Sequence, residues 1–211
     1  MTNTADARTT TSADSAAAPS RFKWRVVDII VAAVIAVACG VIFVGWNFGS
    51  EIFKPLSAVL PGLQALNYGV WLLAGPLAAL IVRKPGAALF AELVAAAVSM
   101  LLGASWGLQL LESGLVQGLA TELVFLAFAY KVWSLPVAML SGAAAGLAAG
   151  LNDLVFWYSA ADGLFKTVYV VSATISGAVL AGLLAWLLTK ALARTGALNR
   201  FASGRELAER V

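Results

Sequence analysis

Six apolar stretches, separated by polar or glycine- and proline-rich connections, dominate the chain beyond residue 20. A helix needs roughly 20 residues to cross the hydrocarbon core of a bilayer, and most of these stretches are close to that length. We therefore predict six transmembrane helices, over residues 26–46, 67–82, 87–102, 111–130, 136–158 and 166–189. Gly49, Pro55, Pro61 and Gly62 interrupt residues 47–66, which are predicted to form a long loop with a short interfacial helix.

The rest of the chain is short and polar. Residues 1–20 are rich in Thr, Ser and Ala without an apolar centre, which predicts a disordered tail. Residues 21–190 then form one six-helix membrane domain, and residues 191–211 a basic C-terminal tail. No block outside the apolar stretches could bury a core of its own, so we expect no soluble catalytic domain.

Composition agrees with an all-α integral membrane protein and narrows its chemistry. The 211 residues are 61% hydrophobic and 12% charged, and they include one Cys and no His. Without His, the commonest metal ligand and general base is missing, so we expect no metal, no cofactor and no enzymatic activity. A phosphate-binding loop motif is also missing, and a net charge of +3 is too small to indicate nucleic acid. Any energy source must come from another chain.

The basic residues predict the orientation. Arg21, Lys23, Arg25, Arg83, Lys84, Lys131 and the C-terminal cluster fall on one side of the predicted helices, against Lys54 and Lys166 on the other. Basic residues near helix ends concentrate in the cytoplasm. We predict a multi-pass protein of the cell membrane with both termini inside and loops 47–66, 103–110 and 159–165 outside.

Three predicted helices carry polar groups on faces of small residues. At 100° per residue, Gly114, Gln117, Gly118, Thr121 and Phe125 lie within about 80° on the fourth helix, with Glu122 about 40° beyond and Glu112 nearly opposite. The third helix aligns Ala88, Glu92, Ala95, Ala96, Ser99 and Gly103, and the fifth aligns Gly142, Gly146, Gly150 and Asp153, with Asn152 on the adjacent flank.

Ionisable groups inside a membrane span are functional candidates, because burying them costs several kcal/mol unless they are paired or face water. Glu92, Gln117, Glu122 and Asp153 are therefore predicted to face a common interior. Glu112 is expected to be an interfacial charge at the outer surface. The alternative is hydrogen bonding between helices, and Glu92 and Glu122, which are expected in the inner half, could be structural acids.

Aromatic and polar residues gather at the outer half. They are Trp46, Asn47, Tyr68, Trp71, Trp106, Gln109, Asn152, Asp153, Trp157, Tyr158 and Tyr169, and Trp106 and Gln109 are expected at the outer mouth. Some belong to the interfacial aromatic belt. Together with the acids and amides they suit a flat, heteroaromatic and possibly cationic solute, held by stacking, cation–π attraction and hydrogen bonds.

A second pattern runs along the first helix, where Ala32, Ala36 and Gly40 recur every four residues. Such a stripe lets another helix approach closely. That helix could belong to this chain or to a partner subunit.

Several motifs in order resemble one transporter family. NYGVWLLAGPLAALIVRKPG, RKPGAALFAELVAAAV, LLGASWG and SGLVQGLATELVF are similar to the YkoE-type S component of energy-coupling factor (ECF) transporters, over residues 24–189. The resemblance implies a six-helix substrate-binding subunit for thiamine or its hydroxymethylpyrimidine (HMP) precursor. It also implies a transmembrane coupling subunit and a pair of ABC-type ATPases as partners, with Ala32, Ala36 and Gly40 facing the coupling subunit.

The resemblance suggests roles for individual residues. Trp71, Trp106 and Trp157 would stack on the vitamin. Glu92 and Gln117 would bond its aminopyrimidine, and Asn152 or Asp153 would complete the polar contacts. The full predicted substrate site comprises Trp46, Asn47, Tyr68, Trp71, Glu92, Trp106, Gln117, Glu122, Asn152, Asp153, Trp157 and Tyr169.

Other functions stay open at this point. A stand-alone carrier of a small heteroaromatic cation would use Glu92, Glu122 or Asp153 as proton sites, although the chain shows no internal repeat. An S component for a different vitamin is a further alternative. Ser99 stands where a second acid is expected on the third helix, which could shift preference toward a neutral pyrimidine.

Overall fold

The computed structural model describes residues 22–208, and the predicted tail at residues 1–20 lies outside this range. The helices are α1 (Val26–Gly49), α2 (Leu56–Val59), α3 (Ala74–Val82), α4 (Ala87–Leu101), α5 (Gln109–Ala127), α6 (Leu135–Phe156), α7 (Gly163–Ser176), α8 (Leu184–Arg194) and α9 (Ala202–Ala208). Ser50–Phe53 and Leu63–Leu72 are 3₁₀ helices, and Gly177–Leu183 is a π helix that joins α7 to α8. Residues 22–208 contain no strand, so the all-α prediction is confirmed for this part of the chain.

Five helical stretches within the described residues are long and apolar enough to cross a membrane. They are Val26–Val59, Leu63–Val82, Gln109–Ala127, Leu135–Phe156 and Gly163–Arg194. The remaining predicted span corresponds to α4, which is apolar but only 15 residues long. At 1.5 Å per residue, α4 extends over roughly 22 Å, short of the roughly 30 Å of a bilayer core.

The centre of the bundle is α3. All nine of its residues are buried, and α1, α4, α5 and α8 pack around it. A helix that is apolar on every side can lie in a protein core or face lipid, and α3 lies in the core of this bundle. The shortness of α3 follows from the 3₁₀ helix that precedes it, because Leu63–Leu72 and α3 together form one span.

The small-residue stripe of α1 packs inside the chain, which corrects the prediction that it meets a partner. Ala32 and Ala36 are completely buried, and Gly40 lies against α4. A Cβ on Gly40 would lie 2.7 Å from the Cβ of Val98, so only Gly fits. The stripe does allow close helix approach, as the pattern predicts, but the nearest helix is this chain's own α4.

The predicted sixth helix is not a uniform α-helix. Its middle is the seven-residue π helix Gly177–Leu183, which packs against α6 through glycines on both sides. A Cβ on Gly142 would collide with the Gly177 carbonyl oxygen. The two backbones are therefore close enough that any side chain at Gly142 would separate them.

The folded bundle continues beyond residue 190. After α8 the chain turns at Gly196, in the left-handed region at φ 79°, and α9 lies against α3. Leu198 and Phe201 are buried, and the Ser203 hydroxyl donates to the Ile81 carbonyl oxygen at 3.1 Å. Burial of these apolar side chains on α3 explains why a segment rich in basic residues is ordered.

Candidate functional site

A cavity of about 700 Å³ lies among α1, the 3₁₀ helix Leu63–Leu72, α4, α5, α6 and α7. The side chains of Glu51, Lys54, Trp106 and Trp157 are exposed at its mouth. The other lining residues are Phe43, Asn47, Ser50, Gln64, Ala65, Asn67, Tyr68, Trp71, Glu92, Ala96, Ser99, Ser105, Gln109, Leu110, Ser113, Gly114, Gln117, Asp153, Tyr158 and Tyr169. The size falls within the usual range for small-molecule sites.

Polar groups buried in the helices form the floor of the cavity. Glu92, Ser99 and Gln117 are only 1%, 2% and 6% exposed. Glu92 Oε2 accepts a 2.6 Å hydrogen bond from the Gly75 backbone N–H, which ties α4 to α3. Within residues 22–208, Glu92, Ser99 and Gln117 make no other side-chain hydrogen bond and line the cavity, whereas the fully buried side-chain atom without a partner is Thr121 Oγ1. Buried polar groups are normally hydrogen-bonded, so this floor is suited to a polar ligand.

Asp153 forms a second polar centre, surrounded by tyrosines. Its Oδ2 accepts from the Tyr169 hydroxyl at 2.6 Å, and its Oδ1 accepts from the Tyr68 hydroxyl at 3.2 Å. The Tyr158 ring lies 5.0 Å from the Tyr169 ring. Burial and the nearby Asp153 charge raise the pKa of Tyr158, which keeps its phenol neutral. A carboxylate among aromatic faces is an arrangement that attracts cations.

Tryptophans complete the walls. Trp106 and Trp157 form an edge-to-face pair with ring centroids 5.2 Å apart at the mouth. Trp71 lies 5.9 Å from Tyr68, and its indole N–H donates to the Phe43 carbonyl oxygen at 3.3 Å. This bond fixes the plane of the Trp71 ring on the wall.

The structure brings most of the predicted site residues together. Asn47, Tyr68, Trp71, Glu92, Trp106, Gln117, Asp153, Trp157 and Tyr169 all line the cavity. The helix faces read from periodicity are also confirmed, because the buried residues of α5 are Gly114, Gln117, Gly118, Thr121 and Phe125.

Trp46 and Asn152, also predicted for the site, are not part of the lining. The Trp46 indole N–H donates to the Asn67 carbonyl oxygen at 3.1 Å, so it ties α1 to the 3₁₀ helix instead. Asn152 Nδ2 donates to Glu112 Oε2 at 3.1 Å, between α6 and α5. Glu112, expected as an interfacial charge, is therefore half-buried and engaged with a neighbouring helix.

Glu122 is likewise outside the cavity and caps the start of α4. Its carboxylate accepts from the backbone N–H groups of Gly86 at 2.6 Å, Ala88 at 3.0 Å and Leu89 at 3.4 Å. The Tyr130 hydroxyl donates to the same carboxylate at 2.6 Å. Burial and this carboxylate raise the pKa of Tyr130, so the phenol keeps the proton that it donates. A helix N-terminus has unsatisfied N–H groups and a partial positive charge. Glu122 accepts hydrogen bonds from these N–H groups, and its carboxylate is attracted to the partial charge.

Several lining residues escaped prediction. Ser113 precedes Gln117 by four residues, which is a helical spacing that could have identified it. Gln64 and Asn67 lie three apart on the 3₁₀ helix, where a period of three applies. For Glu51 and Lys54, which lie at the connection after α1, the sequence offers no comparable signal.

Comparison with known proteins identifies the family to which this fold belongs. A crystal structure described as an S component of an ECF transporter superposes with a TM-score of 0.81 and 37% sequence identity, covering 89% of this chain and 95% of that chain. The Bacillus subtilis (strain 168) protein YkoE, named as an HMP/thiamine permease, is 39% identical over 189 residues, which is 87% of this chain and 92% of YkoE. The chain belongs to the YkoE family of ECF S components.

A broader family model supports the same assignment. The permease component of ABC-type cobalt transport systems matches residues 27–148 of this S component. That region contains the floor of the cavity and most of its aromatic wall. The relatives of this chain are transport proteins, so its membership of their family makes the chain a membrane transport component.

Proposed function

We propose that this S component captures thiamine or its HMP precursor from outside the cell and delivers it inward with a coupling subunit and ATPases. The observation that carries the proposal is the cavity itself, in which unpartnered buried groups on α4 and α5 face aromatic walls. The name of YkoE supports the choice of vitamin.

The floor suits an aminopyrimidine. This ring is flat, and its amino group and ring nitrogens alternate as donors and acceptors. The Gln117 amide supplies both a donor and an acceptor, and the free oxygen of Glu92 accepts from an amino group. Trp71, Trp106 and Trp157 would stack on the rings. Asp153, within its tyrosines, would face the positive charge of the thiazolium when thiamine is bound.

The arrangement of charge supports an outward-facing mouth and two cytoplasmic termini. Lys54 is at the mouth of the cavity. At the other end of the bundle, the Trp24 indole N–H donates to the Pro85 carbonyl oxygen at 2.9 Å, and the Arg25 guanidinium lies 5.8 Å from the Phe201 ring centroid. These contacts bring the N-terminal, Arg83–Lys84 and C-terminal basic segments together, as the positive-inside rule requires of a cytoplasmic face.

Six crossings fit this orientation. Although α4 is short, it packs against α1, α3 and α5 and ends beside the mouth of the cavity. Water that enters the cavity shortens the apolar distance that α4 must cover. A length that is marginal for an isolated span is therefore sufficient here.

Binding is tested directly by titrating the purified protein with thiamine and with HMP. Because tryptophans form part of the cavity wall, we expect either ligand to quench the intrinsic fluorescence at micromolar concentration. Thermal-shift measurements with riboflavin and biotin test whether another vitamin is preferred. Stabilisation by one of those vitamins, with no response to thiamine or HMP, would overturn the choice of ligand.

Transport is tested in proteoliposomes. Uptake of labelled thiamine is expected only when the coupling subunit and ATPases are present with ATP. Uptake by this chain alone, driven by a proton gradient, would favour a stand-alone carrier and contradict the S-component mechanism.

A further inference from the structure

The charged residues at the mouth of the cavity form one exposed ion pair. Lys54 Nζ lies 2.5 Å from Glu51 Oε2, and their side chains are 72% and 58% exposed. Both residues line the cavity, and Lys54 is the one basic residue in the lining that the structure describes. The positive charge nearest to an incoming ligand is therefore already matched by a carboxylate.

The rest of the lining offers little to an anion. Glu92 and Asp153 are acids, and Asp153 already accepts two tyrosine hydroxyls. The N-terminus of α5 lies beside the mouth, but the N–H groups of Leu110, Leu111 and Glu112 are bonded to the carbonyl oxygens of Gly107 and Leu108. Phosphate sites in proteins rely on free N–H groups at a helix N-terminus or on unpaired cations. In the described lining the one cation is paired, and three of the first four N–H groups of α5 are engaged.

We infer that the cavity selects unphosphorylated ligands over their phosphate esters, and that Glu51 determines this selectivity by neutralising Lys54. The inference rests on the proposed function, since it concerns thiamine and HMP at the same site. A phosphate ester carries between one and two negative charges at neutral pH. In the cavity, the phosphate would lie near a lysine that is already paired and near two further acids, Glu92 and Asp153. Thiamine, in contrast, is a cation and HMP is neutral.

The test compares two pairs of probes, thiamine with thiamine monophosphate and HMP with HMP monophosphate. Dissociation constants of the purified full chain are measured by tryptophan fluorescence and by calorimetry at low ionic strength. In the wild-type protein the phosphate ester is expected to bind at least about tenfold more weakly than its parent. The difference should shrink as salt is added, because both partners at the mouth are exposed.

Variants at the ion pair identify the residue responsible. Glu51→Gln leaves Lys54 unpaired, so the preference for the parent compound should fall about fivefold, the upper range for an exposed charge pair. Lys54→Gln should raise the preference, because it leaves the Glu51 charge alone. The double variant should lie between them, which measures the coupling of the pair. Thermal unfolding of each variant verifies that it is folded.

The outcomes separate this inference from the proposed function. If thiamine binds but its phosphate binds equally well, the selectivity is wrong and the S-component function stands. If the wild type discriminates but Glu51→Gln and Lys54→Gln leave the ratio unchanged, the role of Glu51 is wrong. If none of the four probes binds, the proposed ligand class fails, and the inference fails with it.

Discussion

Glu92 on α4 accepts a 2.6 Å hydrogen bond from the Gly75 backbone N–H at the start of α3. The bond joins the central helix of the bundle to the floor of the cavity. A Cβ on Gly75 would lie 3.1 Å from Glu92 Oε2, so the acid and the glycine fit only as a pair. One oxygen of Glu92 is thus structural, while the other faces the cavity.

Replacing Glu92 by Gln should weaken thiamine binding about tenfold to a hundredfold. The change keeps the size of the side chain but places an NH₂ donor where an oxygen faces the cavity, which leaves a buried donor of the ligand unpaired at a cost of about 1–3 kcal/mol. Fluorescence titration of the purified variant measures the effect. Glu122→Gln is the matched control, since Glu122 lies outside the cavity and should leave affinity nearly unchanged. Full thiamine affinity in Glu92→Gln would remove this acid from the site.

Glu122→Gln should instead lower the thermal stability of the protein. The amide has only one oxygen to accept from the N-terminal N–H groups of α4, and its NH₂ group opposes them. The expected loss is about 1–3 kcal/mol, from an unsatisfied buried donor and a lost helix cap. Tyr130→Phe should produce a smaller loss of about 1 kcal/mol. Thermal unfolding in detergent measures both, and an unchanged transition in Glu122→Gln would contradict the capping role.

A bulky residue at Gly40 should destabilise the isolated subunit. Gly40→Leu would force α1 away from α4, because Val98 leaves no room for a Cβ. Overpacking of this kind costs about 1–3 kcal/mol or more. Gly45→Leu provides the matched control on the same helix, since a Cβ there meets nothing within 4 Å. The unfolding temperature should fall only for Gly40→Leu. A defect confined to assembly with the coupling subunit would instead restore the partner role of the stripe.

Ser176 should influence ligand affinity indirectly, by holding in place the 3₁₀ helix that forms part of the cavity wall. Its hydroxyl donates to the Leu66 carbonyl oxygen at 2.5 Å and accepts from the Gly69 N–H at 2.9 Å, which holds the 3₁₀ segment on both sides of Tyr68. Ser176→Ala leaves a buried N–H unpaired, at a cost of about 1–3 kcal/mol. Part of that cost should weaken thiamine binding, by about threefold to tenfold, and speed its dissociation.

Stopped-flow fluorescence measures the dissociation rate, and Ser172→Ala on the same helix is the control. Ser172 is buried but is not among the cavity-lining residues. Equal dissociation rates in wild type and Ser176→Ala would show that the 3₁₀ segment keeps its position without this hydroxyl.

The inward-facing residues of the helices could be predicted from the chain alone. A period of 3.6 residues is a local property, so the buried faces of α4, α5 and α6 could be read from the spacing of small and polar residues. Gln117 and Asp153 were placed correctly in this way. The membrane class followed from composition, and the family from several motifs in order.

The contacts of each inward residue could not be predicted in this way and are known from the folded bundle. Glu92 and Glu122 are both acids on apolar helices, yet one lines the cavity and the other caps α4, because α5 passes the N-terminus of α4 at the level of Glu122. Helix packing also determines which helix lies against the α1 stripe. The same holds for the π helix and for the Glu51–Lys54 pair. They depend on which helices lie side by side, and that is set by packing of the whole bundle rather than by any local repeat.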